Sequence, residues 1–174
     1  MIHDKASAFK LIVFNIEKPV NVGILLRTAY AMGCHEVLIV GKRRFKVTGA
    51  SHTHRVQKWQ HFYRMEEAAA YCKEQGFRIV GVEIGGPWLH ETAFTENVAF
   101  VLGNEGRGLS DAQSFCETLV TIPQWGGVPS MNVAMAGAIV MYEFQKQQNI
   151  PCLETSGQKF YDDHYPMGDV FELD

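Results

Sequence analysis

Residues 8–40 read AFKLIVFNIEKPVNVGILLRTAYAMGCHEVLIV, and the order of local signals in this stretch decides the fold. Ala8–Phe14 is a short apolar run bounded by Asn15 and Pro19, the signature of a buried strand. Asn21 predicts the N-cap of a helix that runs to about Met32 and stops at Gly33. Glu36–Val40 is a second apolar run, closed by Gly41. Strand, helix, strand is the opening of an α/β domain built on a parallel sheet.

The alternation continues down the chain. Lys42 to about Arg64 has no clean period and reads as a long loop, and Glu66–Gln75 reads as a helix stopped by Gly76. Arg78–Glu83, Asn97–Leu102 and Thr118–Ile122 read as three further strands. Leu109–Phe115 reads as a short helix, and Asn132 to about Lys146 as a long final one. The expected fold is α/β, a mainly parallel sheet flanked by helices, with residues 1–150 as a single domain. Residues 151–174 form an acidic C-terminal tail of loop-like composition.

The composition of the 174-residue chain, 47% apolar and 20% charged, excludes a disordered chain, a collagen-like repeat and a disulfide-dense miniature. No apolar run approaches the ~18 residues of a membrane span. Met1-Ile2-His3-Asp4-Lys5 has neither the apolar core nor the cleavage site of a signal peptide. Cys34, Cys72, Cys116 and Cys152 include no C-x-x-C pair, which suits buried free thiols better than a zinc site or a disulfide frame. A cytoplasmic protein with no membrane and no metal partner is expected.

The net charge of −3 hides an asymmetry. Between Val37 and Met65 lie Lys42, Arg43, Arg44, Lys46, Arg55, Lys58 and Arg64, and no carboxylate. The last 24 residues carry −5, so residues 1–150 alone carry +2. Taken by itself, the basic stretch reads as a solvated loop.

Open parallel sheets bind ligands beyond the carboxyl ends of their strands, and three such loops stand out here. The first, Asn15 to Gly23, leads into the helix carrying Arg27, with Gly23 one turn before the arginine. Arg27 alone is equally compatible with an ordinary surface position. The second, Leu102-Gly103-Asn104-Glu105-Gly106-Arg107-Gly108-Leu109, has a G-x-x-G-x-G order that reverses the dinucleotide fingerprint. Together with the lack of that fingerprint after the first strand, this disfavours a nicotinamide oxidoreductase. The third runs from Ile122-Pro123 to Ser130-Met131-Asn132, where Asn132 caps the final helix. That helix opens Val133-Ala134-Met135-Ala136-Gly137-Ala138-Ile139-Val140, apolar on every side, and is expected to be buried all round. A second subunit would complete that burial more easily than a monomer core.

Together these loops resemble the motifs of the SpoU/TrmH family of RNA ribose methyltransferases, in the SPOUT superfamily. Asn21-Val22-Gly23-Ile24-Leu25-Leu26-Arg27-Thr28 resembles its first motif and Phe100–Leu109 its second. Ile122-Pro123 with Ser130–Ala136 resembles its third, and the match spans roughly residues 8–146. The resemblance implies a C-terminal deep trefoil knot, the SPOUT fold, and a homodimer. It implies S-adenosylmethionine as cofactor, held by Leu102, Gly103, Ile122 and Met131, with Asn21, Arg27, Glu105, Ser130 and Asn132 in the active site.

The implied activity is 2′-O-methylation of structured RNA, with tRNA placed ahead of rRNA. The alternatives are a base-methylating enzyme on the same fold and an RNA-binding protein without catalysis. Arg27 would hold a phosphate and stabilise developing alkoxide charge, because a guanidinium, with a pKa above ~12, keeps its proton at neutral pH. Glu105 would orient Arg27 or offset the positive sulfonium, while Ser130 and Asn132 would fix their loop. Trp125 is read as a lid or stacking residue, or as buried packing. With fewer than ten residues before the first strand, RNA is expected to lie on the catalytic domain itself. Lys42, Arg43, Arg44, Lys46, Arg55 and Lys58 are its candidate contacts.

Overall fold

The computed structural model describes residues 7–41 and 49–149. Its strands are β1 (Phe9–Phe14), β2 (Glu36–Val40), β3 (Trp59–Phe62), β4 (Arg78–Val82), β5 (Val98–Leu102) and β6 (Thr118–Val120). They form one sheet in the order β3-β2-β1-β5-β4-β6, and every neighbouring pair is parallel. Helices α1 (Pro19–Ala31) and α3 (Val133–Gln148) cover one face, and α2 (Met65–Glu74) covers the other. Phe9, Leu11 and Val13 of β1 join the α1/α3 core, while Ile12 and Phe14 join the α2 core. Burial on both faces explains why β1, β2, β4 and β5 are nearly continuous apolar runs rather than alternating ones.

Strand order reverses between β1 and β5, so the connections after these two strands diverge and leave a crevice at their carboxyl ends. Helix α3 reaches this region because Gly137 lets it pack closely. A Cβ there would lie 2.5 Å from Leu25 Cδ2 of α1 and 2.8 Å from Leu102 Cδ1 of β5.

Four expectations need correction. The long loop after Lys42 contains, in its described part, a 3-10 turn (Thr53–Arg55) and the edge strand β3. Only four residues long and half-buried throughout, β3 offers no apolar run to recognise. Helix α1 begins at Pro19, whose fixed φ suits a first helical position; Lys18 is the N-cap and Asn21 lies buried inside the helix. The short helix after Leu109 is a 3-10 helix, Ser110–Phe115. Finally, α3 is not buried all round: Met135, Ile139 and Tyr142 are exposed on one face. Cys34 and Cys72 are buried and Cys116 half-buried, all free thiols, and burial pushes the Cys34 thiol up to about 12. Cys152 and the acidic tail lie outside the described residues, and none of the described helices is long and apolar enough to cross a membrane.

At the amino ends of β1 and β2 sits a buried ion pair that the apolar pattern concealed. Lys10 and Glu36 are register partners, both with 0% side-chain exposure, and Nζ lies 2.7 Å from Oε2. Nζ also donates to Gln75 and stands 4.4 Å from the centre of the Tyr71 ring. Glu36 further accepts from Gln60 Nε2 at 2.6 Å and the Tyr71 hydroxyl at 3.0 Å. Burial pushes the Glu36 carboxyl up, but the hydrogen bonds from Lys10, Gln60 and Tyr71 outweigh it and hold the pKa at about 2.

Breaking such a pair strands one charge in the core, so Lys10→Met or Glu36→Gln is expected to cost about 3–5 kcal/mol in urea unfolding. The Glu36 contribution is complete above its unfolded pKa of 4.5 and is lost as pH falls toward about 2. Unfolding free energies measured across that range check the slope; a Glu36→Gln protein with no smaller acid loss than the parent would refute it.

Candidate functional site

The glycine-rich loop after β5 is a closed hairpin. Asn104 and Gly108 exchange two backbone hydrogen bonds of 2.9 Å, and Asn104 Oδ1 accepts from the amides of Gly106 and Arg107. A Cβ at Gly103 would lie 2.3 Å from the Gly108 carbonyl, so only glycine allows the loop to close on itself. Gly108 has φ +62°, and a Cβ there would meet the Glu83 carboxylate. The side-chain amide of Asn104 donates to the Asn15 carbonyl at 2.8 Å, tying this hairpin to the end of β1.

A second tie runs through Glu105. Its Oε2 accepts from the Glu17 amide at 2.9 Å; Oε1 accepts from the Lys18 amide at 3.3 Å and from Asn21 Nδ2 at 2.8 Å. The carboxylate thus caps α1 from another part of the chain, where the Lys18 side chain makes no cap and the helix dipole favours a negative charge. Asn21 must turn its amide nitrogen to the carboxylate, which leaves Oδ1 for Asn132 Nδ2 at 3.3 Å. Asn132 Oδ1 in turn caps α3, accepting from the amides of Ala134 at 2.9 Å and Met135 at 3.4 Å. Burial pushes the Glu105 carboxyl up, but the amides of Glu17, Glu105 itself and Lys18, with the Asn21 side chain, hold it below 4.5.

Beside this chain of hydrogen bonds opens a cavity of about 380 Å³ at the carboxyl ends of β4, β5 and β6. Leu102, Ile122, Met131 and Val133 supply apolar lining, while Glu83, Asn104, Glu105 and Ser130 bring polar groups. Its size lies within the usual range for small-molecule sites. Among the described residues no group of three or more His, Cys, Asp or Glu side chains is placed to hold a metal ion.

The structure therefore brings Asn21, Glu105 and Asn132 into one network, and lines a cavity with Leu102, Gly103, Ile122, Met131, Glu105 and Ser130. Arg27 is not part of that network. It is exposed on α1, and its Nη1 donates to Ser51 Oγ at 2.8 Å. Glu105 accordingly holds Asn21 and the start of α1 rather than orienting Arg27. Lys42, Arg43, Arg44 and Lys46 lie outside the described residues; Arg55 is exposed, and Lys58 Nζ is 3.3 Å from Glu36 Oε1. Trp125 is 92% exposed, so the chain itself gives it no buried packing role. Sequence reading passed over Glu83 and Ser51. Glu83 follows the last residue of β4, and that position at a strand's carboxyl end was the available signal.

The sequence profile described as the SpoU rRNA Methylase family matches residues 8–142. An uncharacterized tRNA/rRNA methyltransferase of Synechocystis is 33% identical over 145 residues, 79% of this chain and 38% of that protein. The 23S rRNA (guanosine-2′-O-)-methyltransferase RlmB of Neisseria meningitidis is 31% identical over 148 residues, 79% of this chain and 58% of that protein. In three dimensions the chain is similar to the SpoU methyltransferase AviRb of Streptomyces viridochromogenes, solved with AdoMet. The TM-score is 0.75 at 22% identity, covering 83% of this chain and 59% of AviRb. The chain thus spans 38% to 59% of the length of these proteins.

The double role of Asn132 can be separated. Asn132→Ala removes both the α3 cap and the bond to buried Asn21, and should cost about 2 kcal/mol or more in thermal or urea unfolding. Asn132→Ser also loses the bond to Asn21 but keeps a capping oxygen, and should be about 1 kcal/mol more stable than Asn132→Ala. Equal losses in the two variants would contradict the capping role.

Proposed function

The chain belongs to the SpoU rRNA methylase family, and we propose that it methylates a ribose 2′-hydroxyl of structured RNA, with tRNA as the first candidate and rRNA second. The carrying observation is the cavity bordered by the glycine-rich hairpin Gly103–Gly108 and by the Glu105–Asn21–Asn132 network. The residues present fit S-adenosylmethionine: the apolar lining suits a purine ring, and the polar groups suit its ribose and charged methionine portion. Leu102, Gly103, Ile122 and Met131 would hold it, with Ser130 at the mouth. When bound, it supplies a methyl group on a sulfonium, open to in-line displacement.

The chain's own task is alignment and charge. Exposed Arg27, steadied by Ser51, is free to take a phosphate of the RNA backbone and to stabilise negative charge developing on the ribose oxygen. Glu105, Asn21 and Asn132 keep α1, the glycine hairpin and α3 in register, so the arginine-bearing helix stays fixed relative to the cavity. Residues 1–150 form the catalytic domain in this reading. The basic stretch that includes Lys42, Arg43, Arg44, Lys46 and Arg55 supplies the RNA surface, and 151–174 is an acidic tail.

We also assign the deep trefoil knot to this backbone. In support, Thr121 stitches the end of β6 to the segment after β4, its Oγ1 accepting from the amides of Gly85 at 3.1 Å and Gly86 at 3.0 Å. The exposed face of α3 is assigned to a homodimer interface. Ile139, Tyr142, Trp125 and Val128 line an apolar groove of about 590 Å³, and Tyr142 is 61% exposed. A patch of this kind on a helix otherwise packed in the core marks a covered surface.

Incubation of tRNA and rRNA with the protein and labelled S-adenosylmethionine, then nuclease digestion and mass spectrometry, should place the methyl on ribose. A methyl on a base would overturn the ribose assignment. Arg27→Ala should reduce turnover by at least about 100-fold while cofactor affinity changes less than about threefold, since the lost group stabilises charge only in the transition state; loss of both would contradict this role. Sedimentation should show a dimer for the parent and a monomer for Ile139→Glu, and a monomeric parent would reject the α3 interface.

A further inference from the structure

Among the described residues two carboxylates line the cavity, and they are not equally occupied. Glu105 receives three N–H groups from the α1 region, besides its own amide. Glu83 receives one on each oxygen: Oε1 from the Ile84 amide at 3.0 Å and Oε2 from the Leu109 amide at 3.1 Å. An ionised carboxylate has about four acceptor positions, so each Glu83 oxygen keeps capacity for a further donor. The two amides come from different strand-end loops and fix the carboxylate plane before any ligand arrives. Gly108 makes room for it, since a Cβ there would lie 2.2 Å from Oε2. Apolar groups flank it in the cavity, among them Val82, Ile84, Leu102 and Ile122.

A rigid carboxylate offering one free acceptor site per oxygen matches a pair of adjacent hydroxyls, and the flanking apolar surface matches the ring those hydroxyls accompany. We propose that Glu83 binds the 2′- and 3′-hydroxyls of the methyl donor's ribose and so selects a ribonucleoside over its deoxy counterpart. The proposal rests on the S-adenosylmethionine reading of the cavity and adds the contact that orients the nucleoside within it. Glu83 is then a binding residue for the donor, distinct from Arg27, which faces the RNA.

Isothermal titration on the full chain tests this without any measurement of activity. The probes are S-adenosylhomocysteine, its deaminated analogue, 5′-methylthioadenosine and 2′-deoxy-5′-methylthioadenosine. A hydroxyl bonded to a carboxylate should favour 5′-methylthioadenosine over the deoxy compound by about tenfold or more in the parent. In Glu83→Ala, checked for folding by its melting curve, that preference should fall below about threefold, while the deaminated analogue loses the same factor as in the parent. A parent with no preference, or a preference that survives in a folded Glu83→Ala, overturns the proposal. So does a variant whose discrimination against the deaminated analogue is what disappears, because Glu83 then faces the amino group. Failure of the parent to bind S-adenosylhomocysteine at all would instead remove the cofactor reading, and the Glu83 assignment with it.

Discussion

The Glu105 carboxylate accepts hydrogen bonds from Glu17, Lys18 and Asn21, and through Asn21 it reaches Asn132. Segments about ninety and over one hundred residues apart are thereby joined by one run of donors and acceptors. Each member has its partner: the carboxylate takes the amides, Asn21 divides its amide between two neighbours, and Asn132 turns its oxygen to α3. A satisfied polar network of this kind stabilises one arrangement, because withdrawing a member leaves another unpaired in a partly buried place. The same groups stand at the start of α1 and of α3, where amides lack helical partners. Capping and site-building are thus one set of interactions, and it is the reversal of strand order between β1 and β5 that brings these helix starts together.

The two ends of the sheet are divided by task. At the amino ends, Lys10 and Glu36 are withdrawn from solvent and surrounded by Gln60, Tyr71 and Gln75, with no cavity-lining residue among them. At the carboxyl ends, Glu83 and Glu105 are held by backbone amides and line open space. Both pairs of strand ends carry carboxylates, yet only one can meet a ligand. Lys58, a cation in the stretch expected to bind RNA, stands near Glu36 at the first of these ends, so its charge is partly used within the fold.

Much of the architecture was legible because burial on both sheet faces leaves uninterrupted apolar runs; β1, β2, β4 and β5 announce themselves in this way. β3 does not, since Trp59–Phe62 is a short edge strand whose half-buried residues leave no periodicity. The glycine hairpin was legible because Gly103 and Gly108 answer to steric demands that no other residue meets. Asn21 was named as a candidate and lies in the network beside the cavity, but it stands inside α1 and not at its expected place as the cap. Pro19 starts the helix, and the cap comes from Glu105, a partner remote in sequence that no local rule could supply. Lys10 was hidden for a related reason: one lysine within an apolar run gives no sign of the glutamate that neutralises it across the sheet.

Helix α3 shows how one sequence can serve two surfaces. Gly137 is required by the close approach of Leu25 and Leu102, and that approach sets Asn132, a turn and a half earlier, against Asn21. Val133, Val140, Met141 and Phe144 complete the buried side. Residues 135, 139 and 142 are equally apolar but project on the opposite side, at the i, i+4, i+7 spacing of a single helix face. If only the monomer's core mattered, that face would be free to carry charge. Its apolar character is continuous with Trp125 and Val128 on the loop that also lines the cavity, so the proposed subunit contact would adjoin the cavity. A partner seated there would press on the segment carrying Ser130 and Met131, so dimer formation and the shape of the cavity would be set by the same loop.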